Sequence, residues 1–243
     1  MPSFYCPDIS STIDEVSLEG EEFHHLVHVM RHKVGDLITL NSGTGWLATG
    51  EVCQIGKTKA IIQIKECKHE DITQRPYAIA FSLLRSKNDE WLVEKVTELG
   101  ANFLFPIVTE YSVRNPSSNT LERFRKSALA AIKQCNNPYL PEIYDITSLE
   151  TSLQKVVELG FQPVLASERR PEHWLDSLKA DKPYCFFVGP EGGFSPSEFA
   201  LFLQAGAQEI TLSSHILRAE TAAIAIAAQY SLTQRFHQPS STT

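Results

Sequence analysis

The sequence predicts an α/β protein in two parts, a small β-barrel followed by a larger parallel sheet flanked by helices. Three observations predict it. Residues 184–231 read as strand, loop, helix, strand, loop, helix, the order that builds a parallel sheet. Residues 34–68 carry short strands broken by turn signals at Gly35-Asp36, Asn41 to Gly45 and Gly56-Lys57, the pattern of a small barrel. Between them Glu70 to Pro76 (EDITQRP) is polar and ends in proline, which sets the expected domains at 1–72 and 73–243.

Composition narrows the class. The 243 residues are 42% hydrophobic, enough for a packed core. No apolar run approaches the roughly 18 residues of a membrane span. The start, MPSFYCPDIS, has neither the basic nor the apolar region of a secretory signal, so a cytoplasmic protein without membrane partners is expected. The five cysteines are odd in number, scattered and without a C-x-x-C, which reads as reduced thiols rather than a disulfide frame or zinc site. The net charge of −7 argues against a nonspecific nucleic-acid coat protein but leaves room for an RNA enzyme with local basic patches. Residues 1–72 hold six Lys/Arg against eleven Asp/Glu, so the second part is the less acidic.

In chain order, Phe4 to Pro7 reads as a strand. Gly20 to Arg31 reads as a helix with Phe23, Leu26, Val27 and Met30 on one face. His24, His28 and His32 recur every four residues on that helix, but no Cys or Asp joins them at ligand spacing, so no metal is expected. Tyr77 to Leu84 is a buried strand. A helix opens at Lys87, with Asp89 and Glu90 suiting its positive end, Trp91, Leu92, Val96 and Leu99 as its apolar stripe, and Gly100 as its stop. Ala101 to Val108 is a strand. Leu121 to Cys135 is a helix whose Arg123, Arg125, Lys126 and Lys133 form, with Arg114, the best basic patch of the chain; the alternative is an ordinary solvated face. Thr147 to Glu158 is a helix, Pro163 to Ser167 a strand, and Asp176 to Pro183 a polar connector.

Tyr184 to Val188 is a fully apolar strand that stops at Gly189-Pro190-Glu191-Gly192-Gly193. Ser195, Pro196 and Glu198 then give a capping box with proline at the first helical position. Glu209 to Leu212 is a strand, Ser213 to Leu217 a loop, and Arg218 opens an Ala-rich helix to Ser231. Both loops therefore lie at the carboxyl ends of parallel strands, where open α/β sheets bind ligands. The glycine loop fits a phosphate loop poorly: no Lys-Ser/Thr follows it, the G-x-G-x-x-G spacing is absent, and Glu191 would repel a phosphate. It suits an uncharged or cationic ligand better; the alternative, for the loop taken alone, is a tight strand-to-helix turn with no ligand.

VGPEGG, a capped helix, a strand and then ILRAETA together resemble the C-terminal end of the SPOUT methyltransferases, and more narrowly the bacterial 16S rRNA uridine-N3 methyltransferases. Lys87, Trp91, Lys95, Glu98, Leu99 and Gly100 match that family's K-x-x-x-x-W-x-x-x-K-x-x-E-L-G block. HVMRHKVGD matches its V-L-R-x-x-x-G-D pattern, with Met30 in place of Leu. The resemblance implies a PUA-like RNA-binding first domain, a deep trefoil knot in the second, a homodimer packed knot to knot, S-adenosylmethionine as cofactor and 16S rRNA or the small ribosomal subunit as partner. It implies Leu165, Ala166, Gly189, Glu191, Gly192, Gly193, Leu212, Ser213, Ile216 and Leu217 as cofactor-binding residues. It implies Arg31, Lys87, Lys95 and Gln134 as RNA-binding residues, and the basic patch adds Arg114, Arg123 and Lys133. One departure stands out: Asn137 occupies the arginine position before Pro138.

Methyl transfer from a sulfonium is mainly an alignment problem, and positioning can supply about 7–11 kcal/mol of the barrier. Uracil N3 must lose a proton, for which Glu220 is the first candidate acceptor and Glu98 the second. Arg218 would stabilise the negative charge that develops on the ring. An arginine at a helix start opposes the dipole, which favours a functional role for it. N3 lies on the pairing edge, so the base must be unpaired or flipped. Two alternatives stay open on sequence: a SPOUT enzyme with another target such as a ribose 2′-hydroxyl, and a noncatalytic RNA-binding assembly protein.

Overall fold

The computed structural model describes residues 2–72, 75–85, 88–169, 172–179 and 182–236, the last two without their side chains. Two units divide the chain: residues 1–72 with 129–140, and residues 73–128 with 141–243. The segment 129–140, which the sequence reading assigned to the second domain, thus packs with the first.

Strands β1 (Phe4–Tyr5), β2 (Glu15–Glu19), β3 (Leu37–Asn41), β4 (Trp46–Ile55) and β5 (Lys59–His69) form one sheet in the order β1-β3-β4-β5-β2. All pairings are antiparallel except β1 with β3. Alternation does the local work: Val16 and Leu18 point inward from β2 while Glu15, Ser17 and Glu19 stay out. Bulges at Thr49/Gly50 and Val52/Gln54 bend the long β4–β5 ladder. The bend lets Phe4, Leu18, Leu40, Val52 and Ile62 from all five strands share one core.

The helix expected over 20–31 departs from regularity. Only α1 (Gly20–His24) is α-helical, and His25–Val29 continues it as a π-helix. The wider turn keeps Phe23 and Leu26 buried but turns Met30 out to 39% exposure, so the predicted four-residue apolar face holds only in part. Arg31 then takes φ 58°, which ends the helix. The three histidines do not share a face: the His24 and His28 rings stay 5.1 Å apart, whereas His32 leaves the helix to bond Asp36 at 3.1 Å.

The second unit is a parallel sheet. Strands β6 (Ala78–Ser82), β7 (Phe103–Val108), β8 (Glu142–Ile143), β9 (Thr147–Ser148), β10 (Gln162–Ala166), β11 (Tyr184–Val188) and β12 (Gln208–Ile210) run in the order β12-β10-β11-β6-β7-β8, with β9 also on β7. Central β6 and β11 are buried at every residue, as strands covered on both faces must be. Helices α2 (Asn88–Glu98), α3 (Thr120–Cys135), α4 (Leu149–Glu158), α5 (Pro196–Gln204) and α6 (Ala219–Phe236) complete the order. The division between units falls inside α3. Thr147 and Ser148, expected in α4, are instead the short β9, and the Ser148 hydroxyl caps the helix from outside it.

The predicted capping box is present: the Ser195 hydroxyl accepts from the Glu198 N–H, and the Glu198 carboxylate accepts from the Ser195 N–H at 2.8 Å. The stripe predicted for α2 holds at Leu92 and Val96, with Leu99 half-buried, and fails at Trp91. Trp91 is 46% exposed, while Leu92, Val93 and Val96 are buried. Asp89 takes the inward place one turn earlier and is fully buried. The Lys87 start of that helix, Ala180 and Asp181 of the connector, and the polar tail lie outside the described residues.

Helices α2 and α6 run parallel and in register. The Asn88 side chain meets Glu220, and the Ser231 hydroxyl meets the Leu99 carbonyl at 3.1 Å, both pairs 132 positions apart.

Candidate active site

Three loops at the carboxyl ends of β10, β11 and β12 surround a cleft of about 430 Å³. Strand order makes this meeting: β10 and β11 are neighbours and β12 flanks β10, so their exits lie side by side. Ala166, Gly189, Glu191, Gly192, Gly193, Leu212, Ser213, Ile216, Leu217 and Arg218 all line the cleft. Leu165 does not; it is buried beneath, paired with Phe187 in the sheet. Ser167, Glu168, Arg169, Phe199 and His215 also line it and were not predicted. The signal for the first three was their place right after a strand of the parallel sheet. His215 carried the same signal, lying in the 213–217 loop, and only Phe199, on α5, had none.

The glycine loop fits its neighbours closely. A Cβ on Gly192 would come within 3.1 Å of the Tyr111 Cβ, and one on Gly189 within 3.0 Å of the Phe194 ring. Gly193 has φ +71°, open to glycine without strain. The tight turn therefore presents backbone amides and carbonyls to the cleft. Among the described residues, two carboxylates, Glu168 and Glu191, and two guanidiniums, Arg169 and Arg218, line it without any lysine. Arg169 is occupied on one side, its guanidinium carbon 3.6 Å from the centre of the Phe199 ring. Such a lining suits a ligand with polar edges and mixed charge, and it has acids to face a cation. S-adenosylmethionine, with adenine edges, ribose hydroxyls, a sulfonium and an amino-acid end, fits this donor set.

The loop is held from behind by a second use of the α5 cap. The Glu198 carboxylate, only 7% exposed, also accepts from the Glu110 N–H at 2.9 Å. That fixes the turn carrying Tyr111 over Gly192.

Arg218 is exposed on the cleft at the residue before α6, and its carbonyl accepts from the Ala222 N–H. Glu220, in the first turn of that helix, is 8% exposed and does not line the cleft; it accepts from the Asn88 Nδ2 at 3.2 Å. Glu98 lies at the far end of the paired helices, about 15 Å along at 1.5 Å per residue. It meets Lys95 at 2.8 Å. The structure does not bring Glu98 to the cleft.

The expected RNA contacts divide in the same way. Lys87 is outside the described residues. Lys95 bonds Glu94 and Glu98. Arg114 pairs with fully buried Asp89 and donates from Nε to the Leu84 carbonyl at 3.0 Å. Arg123 lies 3.3 Å from Glu90, and Lys133 bonds Glu22 at 2.5 Å. The predicted basic patch is therefore mostly internal ion pairing. Arg31 and Gln134 are exposed. Asn137, at the position where an arginine was expected, serves its own unit: its carbonyl accepts from buried Asn41, and its side chain accepts from the Tyr139 N–H.

An RNA methyltransferase domain model matches residues 72–231, and an RNA methyltransferase PUA domain model matches residues 18–65. The chain is 30% identical over 220 residues to the ribosomal RNA small subunit methyltransferase E of Bacillus subtilis, covering 85% of each. It is 27% identical to that of Mycobacterium tuberculosis, covering 96% of this chain and 92% of the relative. The crystal structure of a ribosomal RNA small subunit methyltransferase E from Neisseria gonorrhoeae bound to S-adenosyl methionine matches with a TM-score of 0.84 at 26% identity, over 94% of this chain and 96% of that one.

Proposed function

The chain belongs to the RNA methyltransferase family and carries that family's PUA domain ahead of its catalytic one, and on that premise we propose that it methylates N3 of a uridine in 16S ribosomal RNA, using S-adenosylmethionine. One observation carries the reading: the three loop ends converge on a single cleft with Arg218 at its edge. The bound cofactor supplies a methyl group on a cationic sulfur. The chain's own residues align it. The backbone of Gly189, Gly192, Leu212 and Leu217 holds polar edges, and Glu168 and Glu191 face positive charge. Arg218 stabilises the charge that develops on the uracil ring as its proton leaves. Glu220 is the carboxylate that receives that proton, directly or through water.

The finer organisation is part of the same proposal. Residues 1–72 act as the RNA-binding domain and 73–243 as the methyltransferase domain, with exposed Arg31 and Gln134 as the best placed of the expected RNA contacts and Lys87 as a further one. A trefoil knot is supported by the path after β12: Thr211 bridges to Trp174 in the connector, and α6 then crosses back to lie along α2. A homodimer through the second domain is supported by exposed Trp91 on α2 and Leu232 on α6. A cytoplasmic location follows from the proposed ribosomal substrate.

The test is methyl transfer from labelled S-adenosylmethionine to unmethylated small subunits, with chromatographic identification of the product nucleoside. N3-methyluridine from the wild type, and little or none from Arg218→Ala, is expected. A ribose-methylated nucleoside would overturn the N3 assignment, and the absence of both cofactor binding and transfer would overturn the enzymatic reading.

A further inference from the structure

We propose that Asn88 is a positioning residue for Glu220, its side-chain amide fixing the carboxylate in the orientation in which it takes the proton. The inference rests on the reading of Glu220 as the proton acceptor. Glu220 sits in the first turn of α6, one residue beyond cleft-lining Ala219. Its carboxylate is almost buried, yet among the described residues the only hydrogen bond to it comes from the Asn88 Nδ2, at 3.2 Å to Oε1. A glutamate has three rotatable bonds, so this one contact selects among its rotamers and leaves Oε2 available.

The donor is itself firmly held. Next to it, Asp89 is fully buried against Arg114, whose Nε also bonds the Leu84 carbonyl. The Asn88 N–H bonds the Arg85 carbonyl. At the other end of the helix pair, the Leu99 carbonyl accepts from both the Ser231 and Tyr77 hydroxyls, each at 3.1 Å. The two helices therefore cannot slide, and Asn88 is presented to Glu220 from a fixed platform. The chemistry of the donor matters too. A lysine here would neutralise the carboxylate and weaken it as a base. An amide orients it while adding no charge.

The deciding variant is Asn88→Asp. At a helix start Asn and Asp are nearly equivalent, and an added negative charge there is favourable, so a purely structural role predicts a stable, active protein. The positioning role predicts the reverse, because aspartate has no proton to donate and sets one carboxylate against another. We expect single-turnover methyl transfer to fall at least about tenfold, the scale of a hydrogen bond to a charged group. The affinity for S-adenosylmethionine should stay at the wild-type value. Asn88→Ala should lie between the two. In a Glu220→Gln chain, Asn88→Asp should cost nothing more.

A wild-type rate for Asn88→Asp overturns the proposal, as does a loss that persists undiminished beside Glu220→Gln. Glu220→Gln alone separates the two readings. A wild-type rate there removes Glu220 from the chemistry altogether. A crippled Glu220→Gln beside an unaffected Asn88→Asp rejects only the positioning role.

Discussion

Replacing Arg114 by alanine tests whether the basic residues of this chain serve RNA or the fold. The Asp89 side chain is fully buried, while its partner Arg114 keeps 23% exposure. Arg114→Ala leaves a carboxylate in the interior with no counter-charge and also strips the Leu84 carbonyl of its donor. Breaking a buried pair from one side costs about 3–5 kcal/mol, and the partial exposure of the arginine places this case near the lower end. For a domain of this size each kcal/mol lowers the melting midpoint by about 2–4 °C, so a fall of roughly 6–12 °C is expected. Circular dichroism melts of the wild type, Arg114→Ala and Arg114→Ala/Asp89→Asn would read it. The double variant removes the stranded charge and should recover part of the loss. RNA affinity, measured against salt by filter binding, supplies the opposing test. An arginine on a phosphate would lower the salt slope by about one when removed and leave the melt alone. An unchanged midpoint with a reduced salt slope would refute the assignment of Arg114 to the fold.

Two further outcomes follow from the geometry. Gly192→Ala should weaken S-adenosylmethionine binding about tenfold by calorimetry, within the range that overpacking costs, because its new Cβ lies 3.1 Å from the Tyr111 Cβ. Tyr111→Gly in the same chain should restore the affinity. Burial pushes the Cys6 thiol up to about 11, with the neighbouring Asp8 and Glu22 charges adding to it. A raised folded-state value means that this contribution to stability is intact below the ordinary thiol range near 9.0 and is lost as pH climbs through about 11. Stopped-flow thiol labelling at pH 8 should therefore modify exposed Cys53 first and reach Cys6 only with unfolding.

Local chemistry written in a few adjacent residues was legible from the sequence. The all-apolar strand at Tyr184–Val188, the Ser195–Glu198 cap and the glycine turn each follow from neighbours within one turn of chain, where sterics and hydrogen bonding leave few choices. The resemblance placed the cleft, and all but one of its predicted cofactor residues line it. What the sequence could not supply was partnership. Arg114, Arg123 and Lys133 read as free cations because the carboxylates that meet them, Asp89, Glu90 and Glu22, are identified only by packing. The same holds for the two candidate proton acceptors. Glu220 and Glu98 stood as first and second candidates on their motifs alone, and the parallel register of α2 and α6 set Glu220 beside the cleft and Glu98 a helix length away. Sequence determines which groups a segment offers and how its backbone turns. Only the tertiary fold determines which charges meet, because ion pairs form through space between segments whose separation along the chain, 111 residues for Lys133 and Glu22, carries no local signal.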